Sequence, residues 1–244
     1  MLTDDEALTA VRRCWTSALD HLEGLPDEAW AGPTRCTGWT VLDLARHAAW
    51  GTSMEADALR RSRTREPGSG EGIEPADDVL AALRGSVADL VGELERADEL
   101  GAAVEIPFGA VPTPFALQVF TMEAGFHADD VAAALGHDEP LGHDVVRATA
   151  AVLPPVFPVL AGAAAAEPPA DGTVIGLAGT SFDLRFGFLD GAWQAAPDEP
   201  LTATIAGSDT AVLRFALGRA GLDGLAVTGD ADLAAGFKTW FMGP

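Results

Sequence analysis

The chain contains no tyrosine, so no phenol is available as an acid, a base or a metal ligand. Lysine is almost as scarce: Lys238 stands alone, and arginine supplies the other basic side chains. Together Lys and Arg number 15 against 37 Asp and Glu, for a formal net charge of −22. So acidic a surface repels nucleic acid and anionic membranes, and neither is expected as a partner. An anionic small substrate stays compatible, because one local arginine can hold it. Two cysteines, Cys14 and Cys36, are too few for a disulfide framework. The N-terminus carries acids where a signal peptide would have basic residues and an apolar core. The Ala-rich stretch 148–166 is interrupted by Pro154, Pro155 and Pro158, so no membrane span is expected. The setting these absences predict is a reducing cytoplasm.

What is present is ordinary globular material. Hydrophobic residues make up 48% and charged residues 21% of 244 positions, enough for one large or two small domains with buried cores. Heavy use of Ala, Gly, Arg and Asp points to a high-GC genome such as that of an actinobacterium.

Leu8, Val11, Trp15, Leu19 and Leu22 recur at helical spacing and predict a helix over 4–23. Thr40 can cap a second helix over 40–63. Residues 64–75 read as a loop, and Val79, Leu83, Val87, Leu90 and Leu94 mark a third helix over 76–98. After a connector, Thr113-Pro114 predicts the capped start of a fourth helix ending at Gly136. Four long helices suggest a four-helix bundle over 1–140. Beyond 140 the texture changes. A proline-containing helix over 143–165 precedes strand-like runs at 173–177, 182–188 and 201–205, a helix over 208–218, a strand over 224–228 and a helix over 230–241. Residues 141–244 therefore read as a small α+β domain with a mostly antiparallel sheet.

Glu123 and His127 lie four apart, on one face of the fourth helix. That face continues through Ala116, Val119, Phe120, Val131 and Ala134, so both side chains are expected on the buried side, where an isolated carboxylate is costly. A metal or a cationic partner removes that cost. His47, with Leu44, Ala48, Gly51 and Met54 around it, faces a similar apolar seam. Two imidazoles and one carboxylate make a three-ligand set with open positions; zinc suits it, and iron(II) fits the same ligands. Asp43 and Asp130, one turn from His47 and His127, could orient the two imidazoles as hydrogen-bond acceptors. A Glu and a His four apart also occur as a plain polar pair, and spacing alone leaves both readings open.

The stretch Cys36-Thr-Gly-Trp-Thr-Val-Leu-Asp-Leu-Ala-Arg-His47, followed by Glu123-x-x-x-His127-x-x-Asp130, resembles the mycothiol-dependent maleylpyruvate isomerases of the DinB-like superfamily of metal-binding four-helix bundles. Phe215-Ala-Leu-Gly-Arg219 and Val227-Thr-Gly-Asp230 extend the resemblance into the C-terminal half. It implies a zinc site at His47, Glu123 and His127 that binds the thiol of mycothiol as a thiolate. It implies addition of that thiolate to a cis double bond, rotation, and elimination, the chemistry that converts maleylpyruvate to fumarylpyruvate. Arg219 matches the family's C-terminal Gly-Arg and could bind a substrate carboxylate through its guanidinium fork; a salt bridge is the alternative role. The expected partners are a low-molecular-weight thiol and a small electrophile, with a carboxylate among the candidates. Two other readings stay open: a mycothiol S-transferase or biosynthetic tailoring enzyme acting on another electrophile, and a non-catalytic metal-binding regulatory protein.

Overall fold

The computed structural model describes residues 1–67, 72–75, 77–107, 109–196 and 198–241. Its backbone divides into two compact units, Met1–Ala148 and Thr149–Pro244.

In the first unit, helix α1 (Asp4–Leu22) opens with a capping box: the Thr3 hydroxyl accepts from the Glu6 N–H, and the Glu6 carboxylate accepts from the Thr3 N–H. Its buried residues, Ala7, Ala10, Val11, Cys14, Trp15, Ala18 and Leu22, fall three and four apart. One turn, α2 (Asp27–Trp30), precedes a second capping box in which Thr40 and Asp43 start α3 (Val41–Thr64). Asp78 caps α4 (Val79–Leu94) by accepting from the Ala81 N–H. Residues 68–71 of the predicted loop, and residue 76 at the predicted start of the third helix, lie outside the described residues.

The predicted connector before the fourth helix holds an antiparallel hairpin, β1 (Ala103–Ile106) with β2 (Gly109–Pro112). Val104 and Ile106 are buried, and β1 packs on α3. Thr113 does not cap α5 (Thr113–Ala134) as expected. Pro112 occupies the capping position without a side-chain bond, and Thr113 Oγ1 donates to the Gly101 carbonyl at 2.6 Å. The hydroxyl is drawn to the hairpin, which anchors this helix end in place of a local cap. Gly136, at φ +84°, follows the helix in the left-handed conformation that glycine adopts freely.

Helix α3 packs on α4 and α1 on α5, while α1–α4 and α3–α5 contacts complete the bundle. Trp15, Leu22, Leu44, Leu59, Leu83, Leu90, Leu94 and Phe120 are fully buried, each worth roughly 1.5–3 kcal/mol relative to exposure. α5 is the inner helix, buried on almost every face from Ala116 to Val131.

Helix α6 (His143–Ala163) corrects one expectation. It continues through Pro154, Pro155 and Pro158 and is long and apolar enough to cross a membrane by length and composition. Half of its apolar window is buried in the protein, as in a core helix. Each interior proline removes a helical hydrogen bond and crowds the preceding turn; burial of Val152, Leu153 and Phe157 offsets that.

The second unit is built on β3 (Thr173–Ala178), β4 (Asp183–Leu189), β5 (Ala192–Ala195), β6 (Ala203–Ala206) and β7 (Ala226–Gly229), in spatial order β5-β4-β3-β6-β7. Only the β3–β6 pair is parallel, so the sheet is mostly antiparallel as expected. Asp190 and Gly191 turn β4 into β5 with φ of 53° and 76°, a two-residue hairpin that needs positive φ at both positions. Ser208 and Asp230 cap α7 (Asp209–Ala216) and α8 (Ala231–Trp240). Phe157, Phe186, Phe237 and Phe241 form the core, with the Phe237 and Phe241 rings stacked at 4.5 Å.

Candidate metal centre

Three elements of the first unit build the site. The loop entering α3 supplies Trp39, α3 supplies His47 and Trp50, and α5 supplies Glu123 and His127. The His47 and His127 rings meet edge-on with centroids 5.2 Å apart, although eighty residues separate them in sequence. His127 Nε2 lies 3.5 Å from Glu123 Oε2. An indole ring flanks each imidazole: Trp39 at 4.8 Å and Trp50 at 6.0 Å from His47, and Trp15 of α1 at 5.8 Å from His127. Trp15 and His127 are buried, whereas Trp39, His47 and Trp50 are half-buried.

Two of the three predicted ligands are thus paired closely, and the third stands ring to ring with one of them. Among the described residues, no group of three or more His, Cys, Asp or Glu side chains is drawn together tightly enough to hold a metal ion. Glu123 also departs from the expected burial. Its side chain keeps 36% of its area exposed, whereas that of His127 keeps 6%. The carboxylate therefore sits at a solvent-facing edge and the imidazole inside, which leaves an approach for a small molecule from the Glu123 side.

Gly125, between these two residues, explains the close seating of α5. A β-carbon there would overlap the Val145 side chain at the start of α6. The loop before α3 is clamped to the next turn of α5. Arg35 donates to Asp129 at 2.7 Å and to Asp138 at 2.5 Å, and the Cys36 thiol donates to Asp130 Oδ2 at 3.4 Å. Arg35 and Asp129 were not singled out in the sequence; only their pairing in space gives them a role. Asp130, expected to orient His127, is completely buried and engages Cys36. Asp43, expected to orient His47, accepts from the Thr40 N–H at 3.0 Å and the Thr40 hydroxyl at 2.6 Å, and these bonds depress its pKa.

Glu55 is the residue that the sequence reading missed. It lies two turns beyond His47 on α3 and is only 5% exposed. Burial, reinforced by the negative charge of Glu123, pushes its pKa well above the usual carboxylate range. Its Oε2 has no hydrogen-bond partner, and neither does the buried Nε1 of Trp15. The signal was available: Glu55 falls on the stripe of Ala48, Thr52 and Leu59, where a carboxylate is out of place. His127 is buried and His47 half-buried, with Glu123 at the edge, and imidazole and carboxylate are donor types that a divalent cation such as zinc takes. A groove of about 450 Å³ lies elsewhere, lined by Arg13, His21, Asp129 and His137, and includes none of His47, Glu55, Glu123 or His127.

Residues 11–132, half of the chain, match the sequence profile of the mycothiol maleylpyruvate isomerase N-terminal domain. The chain belongs to that family. The matched segment contains His47, Glu123 and His127. Over 130 residues the chain is 28% identical to the uncharacterized proteins Rv0738 and MT0763 of two Mycobacterium tuberculosis strains, covering 52% of this chain and 68% of each relative. Two crystal structures of the mycothiol-dependent maleylpyruvate isomerase, one of them of an alanine variant, align with TM-scores of 0.70 and 0.68. Each alignment covers 94% of this chain and 95% of the other at 20% identity, which shows a shared fold across both units' sequence.

In the second unit, Arg219 follows α7 and is 8% exposed. It donates one N–H to the Leu217 carbonyl at 2.7 Å. Lys238 Nζ donates to the neighbouring Ala216 carbonyl at 2.7 Å and to Phe241 at 2.6 Å. Burial, followed by the positive charge of Arg219, lowers the Lys238 pKa to about 8.

Proposed function

We propose that the protein is a metal-dependent, thiol-using isomerase of the maleylpyruvate isomerase type, with His47, Glu123 and His127 as ligands of a divalent metal, zinc suiting them best. The observation that carries the reading is the His47–His127 pair with Glu123 beside it, inside a bundle of this family. The cosubstrate is a low-molecular-weight thiol, mycothiol by family, and the substrate is a small electrophile with an activated double bond. When bound, the metal supplies Lewis acidity that lowers the thiol pKa and keeps the sulfur as a thiolate at neutral pH.

The chain's own residues hold and shield that chemistry. Trp15 packs on the buried His127, and Trp39 and Trp50 flank the half-buried His47, so charge interactions are strongest on the His127 side. The Arg35–Asp129 and Cys36–Asp130 links fix the loop carrying Trp39 against α5, and so hold the two histidine-bearing helices in register. In the second unit, Arg219 is proposed as a carboxylate-binding group, with one guanidinium N–H held by the Leu217 carbonyl.

The test is elemental analysis joined to kinetics. Purified protein should carry about one divalent metal per chain and isomerise maleylpyruvate only with added thiol. His127→Ala should lose metal and activity together. Arg219→Ala should keep its metal and lose turnover or substrate affinity, and Arg219→Lys should restore little, because an ammonium lacks the planar fork. Full metal occupancy in His127→Ala removes the ligand assignment; unchanged kinetics in Arg219→Ala removes the anchor.

A further inference from the structure

Lys238, the chain's only lysine, reaches from α8 to the end of α7 and is half-buried there. That helix end is already closed by its own backbone. Gly218 turns the chain at φ +78°, its N–H donates to the Phe215 carbonyl at 3.0 Å, and the Arg219 N–H donates to the Arg214 carbonyl at 2.7 Å. Two cations are added to this finished turn. Lys238 Nζ donates to the Ala216 carbonyl and Arg219 Nη1 to the Leu217 carbonyl, both at 2.7 Å, so the ammonium and the guanidinium stand on consecutive peptide groups. The C-terminus of a helix carries roughly half a negative charge, which one cation more than balances. The second is in excess. Burial, and then the Arg219 charge, hold the Lys238 pKa down at about 8 from its ordinary 10.5. An ammonium has three N–H groups. Two go to the Ala216 and Phe241 carbonyls, and among the described residues the third meets no acceptor.

We propose that Lys238 is a second anion-binding group beside Arg219, so that the turn after α7 takes a small dicarboxylate with one ammonium and one guanidinium. This role rests on the reading of Arg219 as a carboxylate-binding group. Arg219 alone specifies one carboxylate; the pair specifies two. The two cations also differ in kind. The guanidinium is charged at every working pH, whereas the ammonium can give up its proton. Helix α8 packs on β6 and β7, neither of which carries a charged residue. The charged groups near Lys238 are Arg219 and Arg214 at the end of α7, Asp232 in the first turn of α8, and Glu167, whose carbonyl accepts from Trp240. Of these, Arg219 is the one that shifts Lys238. An arriving anion favours the ammonium. Affinity is therefore full below about pH 8 and falls as pH rises through that value, because Lys238 then has to take up a proton on binding.

Succinate and butyrate have carbon chains of equal length but carry two carboxylates and one. Each is titrated calorimetrically into wild type, Lys238→Gln, Lys238→Arg and Arg219→Gln. Wild type is expected to bind succinate more tightly than butyrate. Lys238→Gln should bind succinate on the order of 10-fold more weakly, with butyrate affected less. Between about pH 7 and about pH 9.5, wild type should lose succinate affinity on the order of 10-fold. Lys238→Arg keeps its charge throughout and should show no such fall, a difference that a purely structural tie to the Ala216 carbonyl would not produce. Succinate affinity equal to wild type in Lys238→Gln, or a pH dependence in Lys238→Arg equal to that of wild type, overturns the role of Lys238. Arg219 stands in either case, provided Arg219→Gln loses succinate. If Lys238→Gln does not fold, the pH profile of Lys238→Arg decides alone. A wild type that binds neither acid, or an Arg219→Gln that binds succinate as wild type does, overturns both readings.

Discussion

The interiors of the two units are built on opposite terms. The second unit buries a continuous aromatic cluster, Phe157, Phe186, Phe237 and Phe241 with Trp193 against them, and its buried Arg219 and half-buried Lys238 are tied to backbone carbonyls at the end of α7. The first unit places Glu55, His127, Asp129 and Asp130 among its leucines and alanines, with polar atoms at Glu55 and Trp15 that no protein group satisfies. Apolar burial stabilises in proportion to area, whereas an unsatisfied polar atom subtracts about 1–3 kcal/mol. A helical bundle that retains such groups gives up stability there, and the sheet unit shows what the same chain does where packing alone decides.

The largest expected effect tests the aromatic side of that contrast. Phe237→Ala should destabilise the protein by about 3–5 kcal/mol, the range for emptying a fully buried ring site. Equilibrium unfolding in urea measures it. A loss below about 1 kcal/mol would mean that this cluster is not what holds the second unit together.

Gly125→Ala probes the bundle between Glu123 and His127. Overlap with Val145 should cost about 1–3 kcal/mol, and the better helix propensity of alanine returns about 1 kcal/mol, so a net loss of up to about 2 kcal/mol is expected. Val145→Ala in the same chain makes room for the new methyl. The two substitutions should therefore be strongly non-additive in a double-mutant cycle. Additive losses would show that α5 and α6 do not meet at Gly125.

The smallest effect concerns an ion pair on the bundle's surface. Arg13 grips Asp144 through two bonds of 2.7 and 2.8 Å. Burial alone would raise the Asp144 pKa, but the Arg13 hydrogen bond and the Val145 N–H outweigh it, and the pKa is lowered from 3.8. A carboxylate depressed on folding stabilises fully above its unfolded value and loses that contribution as pH falls through its folded value. Asp144→Asn should therefore lower stability by less than about 1 kcal/mol at neutral pH, since Arg13 is half exposed. The gap should close in acid below 3.8. Thermal melts across pH read it, and a gap that widens in acid would reverse the sign of the linkage.

Much of the architecture was legible because local rules suffice for it. Leucine and valine periodicity marked the helices, and Thr40 began α3 as its type predicts. His47, Glu123 and His127 stood out because polar groups on apolar stripes are expensive. Legibility failed where a partner distant in sequence decides. The β1–β2 hairpin is too short to show alternation, and Thr113 bonds Gly101 in preference to its own helix. The Asp190-Gly191 pair is a hairpin-turn signal from which β5 follows. The Cys36–Asp130 link, between residues 94 apart, could be seen only once the loop before α3 was placed against α5.

The sequence by itself determined the periodicities, the caps, the acidic surface and the list of side chains able to bind a cation, since each depends on residue type and on spacing along one helix. Only the tertiary structure decided that His47 meets His127, that Glu123 opens to solvent while His127 does not, and that Glu55 lies buried without a partner beside Glu123's charge. Those facts depend on which helix face meets which. That choice comes from the packing of whole helices, where a single glycine such as Gly125 sets how closely two backbones approach.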